Sequence, residues 1–154
     1  AGIDGLITVD LPPEEVAAMN TELQRRELDN IFLISPTTSD ERVATITKQA
    51  SGFIYYVALK GVTGAGNLDT AAVEAHLAII RAHSDLPVAV GFGIKDAETA
   101  ATVAGCADAV VVGSAMVDCI AAQYASECDP AAATEAAHSL ISTIRTGVNL
   151  ATSK

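Results

Sequence analysis

The sequence is poor in aromatic and basic residues. It has no tryptophan, three tyrosines and three phenylalanines among 154 residues. Lysine and arginine number 9 against 19 aspartates and glutamates, so the formal net charge is −10. Because nucleic acids and anionic membranes are bound through clusters of positive charge, this composition argues against both as partners. Any phosphate group that binds here would have to be held by backbone N–H groups and helix N-termini.

Cysteine is also scarce. Cys106, Cys119 and Cys128 are the three cysteines and form no CxxC motif, so the sequence predicts neither a disulfide framework nor a zinc site. We expect reduced thiols, a cytoplasmic protein and no bound metal. No segment resembles a signal peptide or a membrane-spanning helix. The first residue is Ala1 rather than Met, which predicts either a processed N-terminus or a sequence that begins inside a longer protein.

Apolar runs alternate with amphipathic segments along the chain. Half of the residues are hydrophobic, which is enough to bury the core of a single domain. Five apolar runs are predicted as strands, each followed by a predicted helix. These runs are 5–9, 31–34, 53–59, 88–92 and 109–112. The alternation predicts an α/β protein with a parallel sheet, and the unbroken hydrophobicity of the strands predicts that helices cover both faces.

Proline and short polar residues mark where the helices begin. Pro12 opens the first predicted helix, since proline is tolerated in a first turn. Thr38 and Glu41 have the spacing of a capping box and open the second. Asp96 and Asp129 are predicted to cap the fourth helix and the last one.

The three histidines and the C-terminal segment are predicted to lie outside the core. His76, His83 and His138 fall on predicted helices, away from the carboxyl ends of strands, and are predicted as surface or helix-end residues. The segment 146–154 is predicted to be frayed.

Glycine follows three consecutive predicted strands. The sequence KGVTGAGN occupies 60–67, directly after the third strand, while Gly91 and Gly93 end the fourth and Gly113 ends the fifth. The carboxyl ends of parallel strands lie on one side of a sheet, so these loops can converge on one anionic ligand. A tight turn alone would also place glycine at a strand end, but it would not need a loop of this length.

Two architectures fit this pattern. One is a complete five-stranded doubly wound sheet of the flavodoxin type, which the chain length favours. The other is a run of five consecutive units of a (β/α)8 TIM barrel, a fold that normally needs about 250 residues. The three adjacent glycine-bearing strand ends favour the barrel, because its phosphate site is built from the last strands.

The motifs resemble, in order, those of the tryptophan synthase alpha subunit family. Segment 2–12, with Asp10 and Pro12 at its end, is similar to the family's fourth strand. Later segments are similar to its fifth to eighth strands: 31–36, 55–64, 91–94 and 113–115. The resemblance covers essentially the whole chain and implies a single domain, 1–154, that forms the C-terminal part of a TIM barrel.

The resemblance implies a lyase of tryptophan biosynthesis that cleaves indole-3-glycerol phosphate to indole and glyceraldehyde 3-phosphate. It implies a beta subunit as the partner in an alpha2beta2 complex, with pyridoxal phosphate (PLP) in that partner and no cofactor in this chain. The family's catalytic glutamate and aspartate belong to its second strand and the loop after it, upstream of this sequence. We therefore expect the isolated chain to be inactive and, because its edge strands would be open, prone to self-association.

The resemblance also implies roles for individual residues. The phosphate-binding residues it implies are Gly64, Gly93, Gly113 and Ser114. The substrate-pocket residues it implies are Ile7, Val9, Leu33, Thr63 and Phe92. Asp10 and Tyr55 are implied as supporting residues, although capping for Asp10 and core packing for Tyr55 fit their positions equally well. The pair Ala58-Leu59 departs from the family, which commonly has a polar or basic pair there.

Two other functions remain open on the residues alone. A non-catalytic α/β module that binds a phosphorylated small molecule fits the chain length. Another phosphosugar barrel, such as an aldolase or an isomerase, would share the glycine-rich last strands. It would not share the combination of the GVTG loop at 61–64 with Asp10 and Pro12.

Overall fold

Five strands alternate with six helices in the computed structural model, which describes residues 2–58, 69–91, 93–126 and 129–152. The strands are β1 (Gly5–Thr8), β2 (Asp29–Ile34), β3 (Ile54–Val57), β4 (Val88–Gly91) and β5 (Ala109–Val111). The helices are α1 (Ala17–Arg25), α2 (Asp40–Gln49), α3 (Thr70–His83), α4 (Ala97–Ala104), α5 (Ser114–Ser126) and α6 (Pro130–Thr152). The predicted alternation of strands and helices is confirmed. No helix of the described ranges is both long enough and apolar enough to cross a membrane.

All five strands are parallel and lie side by side in chain order. Because the crossover between parallel strands is almost always right-handed, a sheet whose strand order never reverses carries its helices on one face. A flavodoxin-type sheet has the strand order 2-1-3-4-5, with a reversal that puts helices on both faces. The doubly wound alternative is therefore wrong, as is the predicted helical cover on both faces. The order is that of consecutive units of a TIM barrel.

The hydrophobic core lies between the sheet and its helices. We call the helix-covered side of the sheet the outer face, and its central residues are Phe32, Ile34, Ile54, Tyr56, Val88 and Val90, all 3% exposed or less. On α3, Val73, Leu77 and Ile80 follow helical spacing and are buried against this face. Removing such apolar surface from water contributes about 25 cal/mol per Å² to stability.

The opposite side of the sheet carries no helix among the described residues. We call it the inner face, and its residues include Ile7, Ile31, Leu33, Tyr55, Val57, Ala89, Gly91 and Val111. Leu33 lies opposite Tyr55 in the register of β2 and β3, and Val57 lies opposite Gly91 in that of β3 and β4. Ile7 is 54% exposed, and most of the others are half-buried, whereas Ile31 and Ala89 are 6% and 4% exposed. These positions are apolar because they face the interior of a barrel, although they form no closed core here.

A buried polar network fixes the first two strands against α1. Thr8 Oγ1 donates a hydrogen bond to Asn30 Oδ1, and Asn30 Nδ2 donates to Asn20 Oδ1 at 2.7 Å. Asn20 Nδ2 in turn donates to the carbonyl oxygen of Gln49 at 2.9 Å, and the Asn30 N–H donates to Ser51 Oγ at 2.9 Å. Asn30 is 2% exposed. Because each of these polar groups has a partner, the network specifies one arrangement of β1, β2 and α1.

The sequence predicted two helix caps correctly. Asp96 Oδ1 accepts the N–H of Thr99 at 2.8 Å and forms a reciprocal capping box with it at the start of α4. Asp129 Oδ1 accepts the N–H of Ala131 at 2.9 Å at the start of α6. Each carboxylate satisfies an N–H group that has no partner within its helix.

At two helices, the observed start or cap lies later in the chain than the sequence predicted. The first helix begins at Ala17 rather than at Pro12, because residues 13–15 form a separate turn. The cap of α2 is Ser39, one residue after Thr38, and Ser39 Oγ accepts the N–H of Arg42. The predicted cap at Thr38 is therefore wrong, and the observed cap lies one residue later.

The C-terminal segment is helical rather than frayed. α6 runs to Thr152, and Ile144 within it is 4% exposed. Gly147 lies so close to the start of α4 that an added Cβ would meet the carbonyl carbon of Ala97 at 2.8 Å. This close approach between α6 and α4 explains why the segment keeps its helical structure.

Candidate functional site

A cleft of about 450 Å³ lies at the carboxyl ends of β3, β4 and β5. Four of the predicted site residues line it, namely Tyr55, Gly93, Gly113 and Ser114. The carboxyl ends of strands are where TIM barrels place their active sites. The three loops that were predicted to converge belong to these strands, and the described parts of them meet at this cleft.

α5 begins at the cleft with a glycine in its N-cap position. The carbonyl oxygen of Gly113 accepts the N–H groups of Met116 at 2.9 Å and Val117 at 3.2 Å. A Cβ added to Gly113 would meet no atom within 4 Å, so the missing side chain leaves the space in front of the helix open. A helix N-terminus carries partial positive charge and N–H groups without partners in the helix. An anion in the cleft can take the place of a side-chain cap.

The neighbouring helix α4 satisfies its own N-terminus. Besides the Asp96–Thr99 capping bond, Thr99 Oγ1 accepts the N–H of Lys95 at 3.3 Å. Hydrogen bonds from the Thr99 backbone and side chain hold the pKa of the Asp96 carboxyl below its usual value. α4 thus has a side-chain cap, whereas glycine in the N-cap position of α5 supplies none, so α5 is the helix whose N-terminus can be capped by a ligand.

Two glycines of β4 and its following turn serve different purposes. Gly93 has φ +41°, a left-handed conformation that glycine adopts without strain, and a Cβ there would meet no atom within 4 Å. A Cβ at Gly91 would instead lie 2.9 Å from Cζ of Tyr55. Gly91 therefore makes room for the Tyr55 ring on the inner face, next to the cleft.

The other described candidates do not line the cleft; Ile7 and Leu33 lie on the inner face, and Val9 and Asp10 follow the end of β1. Ile7 and Val9 are 54% and 66% exposed, and Asp10 is also exposed. Leu33 is half-buried opposite Tyr55. The structure thus brings together three of the four predicted phosphate residues, Gly93, Gly113 and Ser114. The predicted pocket residues of the first two strands do not line the same cleft.

Three predicted site residues lie outside the described residues. They are Thr63, Gly64 and Phe92. The same is true of the glycine-rich loop at 60–67 as a whole. Their roles stay predictions from the resemblance.

Two charged residues that were not predicted also line the cleft. Lys95 follows Gly93 by two residues, and Asp118 lies on α5 four residues after Ser114. Residues four apart share one face of a helix, so the spacing from Ser114 is a signal that could have identified Asp118. Ala58, where the sequence departs from the family, lines the cleft as well and is 8% exposed.

The described residues offer neither a metal site nor an activated thiol. They contain no group of three or more histidine, cysteine, aspartate or glutamate side chains that could hold a metal ion. Burial raises the pKa of the Cys106 thiol, which donates to the carbonyl oxygen of Val103 at 3.3 Å. A raised pKa keeps this thiol protonated and unreactive.

The sequence matches a known family over nearly its whole length. The family model described as tryptophan synthase alpha chain matches residues 1–145. The tryptophan synthase alpha chain of Albidiferax ferrireducens is 54% identical over 132 residues, which cover 86% of this chain and 48% of the relative. That of Thiobacillus denitrificans is 56% identical over 128 residues, covering 83% of this chain and 47% of the relative.

Solved structures agree with the sequence match. The crystal structure of tryptophan synthase subunit alpha from Legionella pneumophila superposes with a TM-score of 0.81 at 40% identity, covering 96% of this chain and 53% of that one. Tryptophan synthase from M. tuberculosis, in an open form with BRD0059 bound, gives a TM-score of 0.76 at 30% identity, covering 94% and 50%. The chain thus spans about half the length of the relatives it matches. It belongs to the tryptophan synthase alpha chain family.

Proposed function

We propose that this chain provides the phosphate-binding part of an alpha subunit that cleaves indole-3-glycerol phosphate to indole and glyceraldehyde 3-phosphate. The observation that carries the proposal is the cleft that unites Tyr55, Gly93, Gly113 and Ser114 at the strand ends, with the N-terminus of α5 open to it. The proposed reaction is inferred from membership of the family. The cleft is proposed to bind the substrate's phosphate group.

The phosphate group anchors the substrate and does not react. In the proposed complex its oxygens accept hydrogen bonds from the first N–H groups of α5 and from Ser114 Oγ, where the helix dipole favours negative charge. Gly93 and Gly113 leave room for the group to approach the backbone. Binding energy from this remote end then orients the bond that breaks.

The indole ring is proposed to lie along the inner face. Tyr55 borders the cleft on β3, and Leu33 is its neighbour on β2. Both are half-buried, so they can contact an apolar ring without being part of the core under the helices.

Bond cleavage needs acid and base groups that the family resemblance places outside this sequence. The indole carbon must gain a proton, while N1 and a hydroxyl of the glycerol chain must each lose one. Two positioned carboxyl groups can carry out these transfers. We therefore propose that the 154-residue chain on its own binds phosphorylated ligands and does not release indole.

The proposal extends to the partner of the whole subunit. The resemblance supports a beta subunit that carries PLP and receives the indole, with Asp10 and Pro12 on the side that faces it. Both residues are exposed. The free thiols of Cys106 and Cys119 are compatible with a cytoplasmic protein, which we include in the proposal.

A binding and turnover experiment tests the proposal. The chain is titrated with glycerol 3-phosphate by calorimetry and is then assayed for indole release from indole-3-glycerol phosphate. Gly113→Asp places a carboxylate in the open space of the cleft and should abolish binding. Gly105→Asp adds the same charge after α4, at the other end of the sheet, and should not affect it.

Three results would contradict the proposal. If the unmodified chain gives no saturable binding, it does not hold the phosphate. If Gly113→Asp binds as well as Gly105→Asp, the ligand does not occupy this cleft. If the chain releases indole at the rate of a complete alpha subunit, the proposed inactivity is wrong.

A further inference from the structure

We propose that Lys95 and Asp118 adjust the affinity of the cleft for a phosphate monoester in opposite directions. Lys95 strengthens binding and Asp118 weakens it. This inference rests on the proposed function and concerns how strongly the same site holds its anion.

The two side chains reach one cleft from different elements. Lys95 belongs to the segment between β4 and α4, and Asp118 lies on α5. Ser114, one of the proposed phosphate ligands, is one helical turn before Asp118 and also lines the cleft. A phosphate group at the start of α5 would therefore lie within range of both charges.

Lys95 can offer its ammonium group to a ligand. Its backbone N–H already donates to Thr99 Oγ1 at 3.3 Å, so the side chain is its available donor. Within the described ranges, no carboxylate lies within 4.0 Å of the Lys95 ammonium. Four arginines, by contrast, form ion pairs: Arg25, Arg26, Arg42 and Arg81. Lys95 thus forms no close ion pair among the described residues, although its positive charge helps to lower the pKa of the neighbouring Asp96 carboxyl.

Asp118 opposes an anion at the same place. It lies in the second turn of α5, four residues after Ser114, and lines the same cleft. A phosphate group bound at the start of α5 would be repelled by this carboxylate. The opposite charges of Lys95 and Asp118 offset each other, which leaves the backbone N–H groups to determine the position of the ligand.

The test measures the dissociation constant of glycerol 3-phosphate for the chain and its variants, at a pH where the ester is a dianion. Lys95→Gln is expected to weaken binding about three- to tenfold, and Asp118→Asn to tighten it by a similar factor. The double variant should bind about as well as the unmodified chain. Both single effects should shrink at high salt, because exposed charges are screened.

Two further variants serve as controls. Lys48→Gln removes an exposed charge from the last turn of α2 and should leave the dissociation constant unchanged. Lys95→Arg keeps the positive charge and should restore the binding that Lys95→Gln loses. Circular dichroism checks that each variant is folded.

The outcomes separate this inference from the proposed function. If the unmodified chain binds glycerol 3-phosphate but the two charge variants change affinity in the same direction, or not at all, this inference is wrong and the proposed function stands. If the unmodified chain does not bind the ester, both fail.

Discussion

Neighbouring residues of one strand point to opposite faces of the sheet and have different surroundings. Tyr55 and Tyr56 are adjacent on β3, and both are tyrosine. Tyr56, on the outer face, is 1% exposed and stacks on His76 with ring centroids 5.9 Å apart. Tyr55, on the inner face, is half-buried beside Gly91 and lines the cleft. The comparison teaches that at this point of β3 the outer face contributes to the closed core, while the inner face borders the cleft.

The largest expected effect comes from truncating these two tyrosines. Tyr56→Ala removes a ring from the closed core and should lower the free energy of unfolding by about 3–5 kcal/mol. Tyr55→Ala removes a half-buried ring and should cost about 1 kcal/mol. Urea denaturation of the two variants measures the difference. Equal losses would mean that the inner face is as closed as the outer one.

A second pair of variants compares two glycines. A Cβ at Gly147 would meet backbone atoms of Ala97, including the Cα at 2.8 Å, so Gly147→Ala should destabilise the chain by about 1–3 kcal/mol. A Cβ at Gly113 would meet no atom within 4 Å, so Gly113→Ala should change stability by less than about 0.5 kcal/mol. Thermal unfolding of both variants tests this. A tolerated Gly147→Ala would show that α4 and α6 can move apart at little cost.

A third prediction concerns packing within the inner face. Gly91→Ala would push a methyl group against the Tyr55 ring, and we expect a loss of about 1–2 kcal/mol. Replacing Tyr55 with alanine removes the obstacle, so the double variant Gly91→Ala/Tyr55→Ala should be no less stable than Tyr55→Ala alone. A double-mutant cycle by urea denaturation measures the coupling. Additive losses would show that the ring moves aside without cost.

The sequence predicted the order of elements better than the faces of the sheet. Strand and helix alternation follows from hydrophobic patterns, and the caps at Asp96 and Asp129 follow from side-chain chemistry. The number of covered faces was not predictable from those patterns. Inner-face residues such as Ile7 and Val57 are as apolar as those of the outer face, so a strand facing a barrel interior resembles one buried under helices.

The glycines that line the cleft were predictable, because their position depends on the backbone at the strand ends. Gly93 and Gly113 were predicted because glycine at a strand end can leave space for an anion, and both line the cleft. Their binding of phosphate stays a prediction. Lys95 and Asp118 were not, because a charged residue near a helix start is most often solvated. His76 was predicted as a surface or helix-end residue, yet it is half-buried against Tyr56. Each of these residues depends on how separate elements pack, which a local pattern does not specify.

The smallest expected effect is a pH dependence at the amino end of the sheet, opposite the cleft. Asp108 Oδ2 accepts the N–H of Val88 at 2.9 Å, and Arg81 donates to it at 3.1 Å. The hydrogen bond from Val88 is the main cause that lowers the pKa of Asp108 below the usual 3.8, and Arg81 adds to it. Because the carboxylate binds its proton less readily in the folded chain than in the unfolded one, it stabilises the fold above pH 3.8. That contribution is lost as the pH falls through the lower folded value.

Asp108→Asn tests this account. Asparagine can still accept the Val88 N–H but carries no charge, so we expect a loss of about 1 kcal/mol or less at neutral pH. The difference from the unmodified chain should vanish in acid, where Asp108 is protonated in both states. If the Asp108→Asn difference stayed constant into acid, the missing charge would not be its cause, and the amino end of the sheet would be held by the neutral hydrogen bond alone.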